Sequence, residues 1–82
     1  MVMYEAGMLA RSKAGHDKAQ MYIIKEVDDT YVYLVDGRSR TLGHPKKKKK
    51  KHVQIVHGIY NMKELDDAGI RKLIKDWMKE EK

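Results

Sequence analysis

Residues 21–27 (MYIIKEV) and 30–35 (TYVYLV) are two runs rich in β-branched and aromatic side chains, and only Asp28 and Asp29 separate them. That composition, with an acidic break between, predicts two strands joined as a hairpin. Along each run neighbouring apolar residues point to opposite faces, Ile23 against Ile24 and Val32 against Tyr33. A sheet built on this hairpin must be covered on both sides. In a chain of 82 residues, where only about 60% of the unfolded surface can be buried, one face is expected to fill a small interior and the other to receive a separate element.

The rest of the chain supplies candidates for both roles. Asp36-Gly37 suits a tight hairpin turn, so RSRTL (38–42) is expected to return as a third strand, with Gly43, His44 and Pro45 ending the pairing. HVQIVH (52–57) alternates apolar with polar residues and reads as another strand, and Tyr4–Ala10 offers one more ahead of a polar loop, RSKAGHDK (11–18). Short strands at this spacing predict a small all-β barrel. The C-terminal third changes period: Ile70, Leu73, Ile74, Trp77 and Met78 recur at helical spacing, with charged residues on the other face. An amphipathic helix is predicted to begin near Asp66 or Asp67, whose carboxylates can cap it, while Asn61 and Glu64 can cap an earlier turn. This helix is the expected cover for the second sheet face.

The charge is as uneven as the periodicity. The net charge is +6, yet residues 1–36 hold four bases against six acids and residues 58–82 balance six against six. Residues 37–57 hold Arg38, Arg40 and Lys46–Lys51 with no acid, so the whole excess sits in one segment. That asymmetry is the footprint of a polyanion-binding face. The stretch HPKKKKKKHV (44–53) is expected to be a loop between the last two strands, projecting its lysines from a rigid body. Lysine is a point charge suited to backbone phosphates more than to base edges. The plain alternative is a solvated loop. Arg38 and Arg40, two apart on the expected third strand, would share a face and make bidentate phosphate contacts.

Other chemistries find little footing. There is no cysteine, hence no disulfide framework, thiolate nucleophile or sulfur-ligated zinc. No window approaches the roughly 18 apolar residues that span a bilayer, and no signal-peptide pattern opens the chain; a cytoplasmic protein is expected. His16, His44, His52 and His57 form no helical i, i+4 pair, and Ser12 and Ser39 have no general-base partner by spacing. SKAGHDK lacks the second glycine and Lys-Ser/Thr of a nucleotide P-loop. No enzyme, cofactor, metal site or small-molecule substrate is predicted. The tyrosines are read first as core or barrel-surface residues and only second as base-stacking platforms, and Trp77 and Met78 as helix packing.

GMLARSKAGHDKAQMYIIKEV (7–27) and DGRSRTLGHPKKKKKKHVQ (36–54) together resemble the KOW-motif RNA-binding proteins, a family that includes large-subunit ribosomal proteins of archaea and eukaryotes. The matching positions are Gly7, the run Ser12–Lys18, Asp36 and Gly37, Arg40, and the run Pro45–His52. His16 stands where the family usually has arginine, and Ala19 where a second glycine is common. The resemblance implies an SH3-like β-barrel over residues 1–57, followed by a linker and C-terminal helix over 58–82, the whole forming one domain. It also implies RNA as the partner, most directly ribosomal RNA of the large subunit, with ribosomal protein neighbours possible and no membrane. The expected RNA-binding set is Arg11, Lys13, His16, Lys18, Arg38, Arg40, Lys46, Lys47, Lys48, Lys49, Lys50, Lys51 and His52. Contact with about six phosphates would cost some three orders of magnitude in affinity between about 50 and 200 mM salt. Two other readings stand beside this one: an SH3-like protein-interaction module of the translation or transcription machinery, and a binder of anionic membrane surfaces.

Overall fold

The computed structural model describes residues 3–13 and 20–80. Five strands, β1 (Met8–Ser12), β2 (Met21–Val27), β3 (Tyr31–Val35), β4 (Lys46–Lys49) and β5 (Val53–Ile59), precede one helix, α1 (Asp67–Glu80). Every strand pair is antiparallel, in the spatial order β4-β3-β2-β1-β5. The two edge strands, β4 and β5, are joined only by a three-residue 3-10 turn, Lys50–His52. Four inter-strand steps of about 4.8 Å would set the edges of a flat sheet about 19 Å apart, whereas three 3-10 residues rise only about 6 Å. The sheet must therefore curl until its edges meet at this corner, which makes it an antiparallel half-barrel.

Curling separates the two sheet faces into two cores. Inside lie Ala10, Tyr22, Ile24, Val32, Leu34 and Val53. Outside, Leu9, Met21, Ile23 and Val35 pack against Ile70 and Ile74 of α1, with Leu73 and Trp77 at the margin. The hairpin that is apolar on both faces thus has one face in the curl and the other under the helix. A register shift between Ile24 and Glu26 moves Val27 onto the interior side opposite Val32.

The helix starts where its caps require. Asp66 Oδ1 accepts from the Gly69 N–H at 2.7 Å, and Asp67 Oδ1 accepts from the Leu42 N–H at 2.8 Å, tying the first turn to the segment after β3. Asn61 caps the short turn Met62–Glu64 through the Lys63 N–H, and its amide donates to Glu64.

Three expectations are corrected. RSRTL does not pair as a strand: the Asp36 carboxylate accepts from the N–H groups of Arg38 and Arg40 at 2.8 and 2.9 Å, and the Asp36 and Gly37 N–H groups both donate to the Arg40 carbonyl. Local side-chain acceptors have taken the donors a ladder would need. The chain returns to β3 only at Lys46, so the lysine run is itself the edge strand β4 and not a loop. The first strand is Met8–Ser12 instead of Tyr4–Ala10, because Gly7, at φ 97°, turns the chain just before it. Arg11 consequently lies on β1, paired with Met21 and Gln54.

The turn between β2 and β3 carries its own electrostatics. Asp28 Oδ1 accepts from the N–H groups of Tyr31 and Thr30, and Oδ2 accepts from the Tyr33 hydroxyl. The backbone donors, led by Tyr31, hold the Asp28 carboxyl below its ordinary 3.8, while that same carboxylate lifts the Tyr33 phenol above its ordinary 10.0. With the folded value depressed, the support Asp28 gives the hairpin is complete above 3.8 and is lost as pH falls through its lowered value. In Asp28→Ala, ring-proton NMR against pH should show the Tyr33 titration moving down toward 10.0; an unchanged Tyr33 curve would remove Asp28 as the leading cause.

Candidate nucleic-acid interface

As a strand, the lysine run divides its charge between two faces. Lys46 and Lys48 stand opposite Leu34 and Val32, on the interior side, and both are half-buried. Their stems lie along the open rim of the interior, with the Lys46 ammonium 6.0 Å from the Tyr22 ring centroid. Lys47 and Lys49 stand opposite Tyr33 and Tyr31 on the outer face, where both are exposed, and the Lys47 ammonium lies 4.3 Å from the Tyr31 centroid. Lysines also keep an edge strand from pairing with other chains, a structural role that accounts for some of them without any ligand.

The 3-10 turn then fixes three more basic residues at the corner. Lys50 N–H donates to the Thr30 carbonyl at 3.0 Å, extending the β3–β4 ladder. Lys13 N–H donates to the His52 carbonyl at 2.8 Å, extending β1–β5. The Tyr4 hydroxyl donates to the Lys50 carbonyl at 3.0 Å, and the Lys50 ammonium lies 5.8 Å from the Tyr4 ring centroid. The turn is held from three directions. Lys49, Lys50 and Lys51 line one shallow concavity of about 350 Å³ with Asp29 and Thr30. Backbone order at both ends of a cationic hollow means that little backbone entropy is left to lose when an anion arrives, the remaining cost being that of the lysine side chains.

The expected site residues fall into separate groups. Lys13, Lys49–Lys51 and His52 come together at this corner, while β4 carries Lys48, Lys47 and Lys46 progressively away from it, Lys46 reaching Leu34 near the other end of β3. Arg11 is half-buried on the outer face, with Nη2 3.8 Å from the Met21 sulfur. Arg38 and Arg40 sit in the Asp36 turn, at the other end of β3 from Thr30, a strand length of about 16 Å away. With no strand there, the shared face expected of the two arginines is absent. His16 and Lys18 lie outside the described residues. Sequence reasoning underweighted Tyr4 and Tyr31, which the structure puts beside lysines; the alternation in TYVYLV was the available signal for Tyr31.

Among the described residues, no group of three or more His, Asp or Glu side chains could hold a metal ion, and no helix is long and apolar enough to cross a membrane. Neither family models nor curated proteins give a match to this chain.

Proposed function

We propose that this chain is an RNA-binding protein of the KOW type, its half-barrel an SH3-like barrel, and its lysine corner a seat for the phosphate backbone of structured RNA. Ribosomal RNA of the large subunit is the first candidate, which would make the protein a cytoplasmic, ribosome-associated binding protein with no catalysis of its own. The observation that carries this reading is the conversion of a six-lysine run into an edge strand and a pinned turn, so that its cations occupy set positions. A tail would have served non-specific attraction equally well. The ordered motif residues Gly7, Asp36, Gly37, Arg40 and Pro45–His52 support the family.

Strand geometry lowers the number of phosphates one backbone can meet. Lys47, Lys49, Lys50 and Lys51 can address one RNA strand, while Lys46 and Lys48 lean over the interior rim. The test is sedimentation of the tagged protein from lysate at moderate and high salt, with and without RNase. Co-migration with large ribosomal subunits is the expected result; migration at the top of the gradient, unchanged by RNase, would contradict it.

A further inference from the structure

A second basic site lies at the opposite end of β3 from the lysine corner. There α1 and the Asp36 turn enclose a groove of about 510 Å³. Arg71, Lys75 and Lys79 follow one another at i, i+4 and i+8 along one helix face, spanning about 12 Å. Arg38 faces them from the turn. Asp36, the single carboxylate among the described lining residues, already accepts from the Arg38 and Arg40 N–H groups and from the Gln20 amide, so it is committed to the turn. Between the cations the surface is apolar, with Ile74 and Met78, and Met78 is 48% exposed. The walls are tied together, since the Arg71 guanidinium donates to the Gly37 carbonyl.

We propose that this groove binds an acidic, amphipathic segment of a partner protein, its carboxylates meeting Arg38, Lys75 and Lys79 and an apolar side chain covering Met78 and Ile74. Charge complementarity selects an anionic partner. The spread of the cations over about two helical turns suits an extended chain, because one small anion would reach only a part of it. The apolar floor separates protein from nucleic acid: a phosphate backbone would use the cations and leave Met78 uncovered, whereas methionine adapts readily to apolar peptide side chains. These observations are independent of the lysine corner, so the groove stands or falls apart from the RNA reading.

The experiment is an amide NMR titration of the full chain with two synthetic peptides, a Glu-Glu-Leu repeat and a Glu-Glu-Ser repeat of equal charge, and in parallel with a uridine oligonucleotide. The leucine peptide should shift amides in Arg38–Ser39 and Arg71–Lys79 and bind more tightly than the serine peptide. Lys75→Glu with Lys79→Glu, two exposed positions, should weaken the leucine peptide about tenfold or more and leave oligonucleotide affinity nearly unchanged. Met78→Ser, which keeps the charge, should erase the preference for leucine over serine. Shifts confined to Lys46–His52, or no preference between the peptides, would overturn the proposal. If the double lysine variant weakens the oligonucleotide as much as the peptide, the groove is an RNA surface instead.

Discussion

Lys49→Glu combined with Lys51→Glu should weaken RNA binding about a hundredfold at roughly 100 mM salt, because each reversal removes one phosphate contact and adds a repulsion. Both side chains are exposed, at the end of β4 and in the 3-10 turn that line the corner hollow. The hydrogen bonds that fix the turn run through backbone groups and Tyr4, so the fold should survive the change. Unaltered thermal unfolding would confirm that. Lys63→Glu with Lys72→Glu changes the net charge equally at exposed sites away from the corner, and should lower affinity by no more than about threefold. Equal losses in the two pairs would mean that total charge, and not the corner, governs binding.

Gly7→Ala should severely damage the fold. Gly7 is buried at φ 97°, where L side chains are strained, and an added Cβ would overlap the Tyr60 carbonyl oxygen. The backbone cannot step aside, because the Gly7 N–H donates to the Ile24 carbonyl at 2.7 Å and its own carbonyl accepts from the Tyr60 N–H at 2.8 Å. Those bonds tie the entry to β1 to both β2 and the exit of β5. Strain and overlap together should cost about 3 kcal/mol or more, a large share of the roughly 5 kcal/mol expected of so small a domain. The melting temperature should fall by roughly 15 °C or more. Gly43→Ala is the control: no atom lies within 4 Å of its added Cβ, and stability should change by about 0.5 kcal/mol at most. Similar melting of the two variants would contradict the role given to Gly7.

The parts of this fold legible in the sequence are those where one physical preference acts without a rival. β2 and β3 follow from dense β-branched and aromatic composition, and α1 from a five-residue apolar stripe with Asp66 to cap it. The lysine strand was not legible, since neither intrinsic propensity nor alternation marks KKKK as β; the open edge of β3 and the nearby Tyr31 ring recruit it. RSRTL fails as a strand for the converse reason, its alternation outweighed by one carboxylate that gathers the turn's own N–H groups. For the candidate site, the location of the basic segment was readable and its division was not. Six adjacent lysines look like one patch until the pleat sends Lys46 and Lys48 to one side and Lys47 and Lys49 to the other. The groove beneath Arg38 was hidden because its other cations come from α1, some thirty residues further along.

The central claim, that a fixed set of corner lysines meets an RNA backbone, is tested most directly by the salt dependence of binding to a single-stranded RNA oligonucleotide. Four phosphate contacts predict a slope of log affinity against log salt of about −3, a loss of roughly sixtyfold between about 50 and 200 mM. In Lys49→Glu with Lys51→Glu the slope should shrink by about 1.5. A wild-type slope near zero, or one that the corner variant leaves unchanged, would contradict the account.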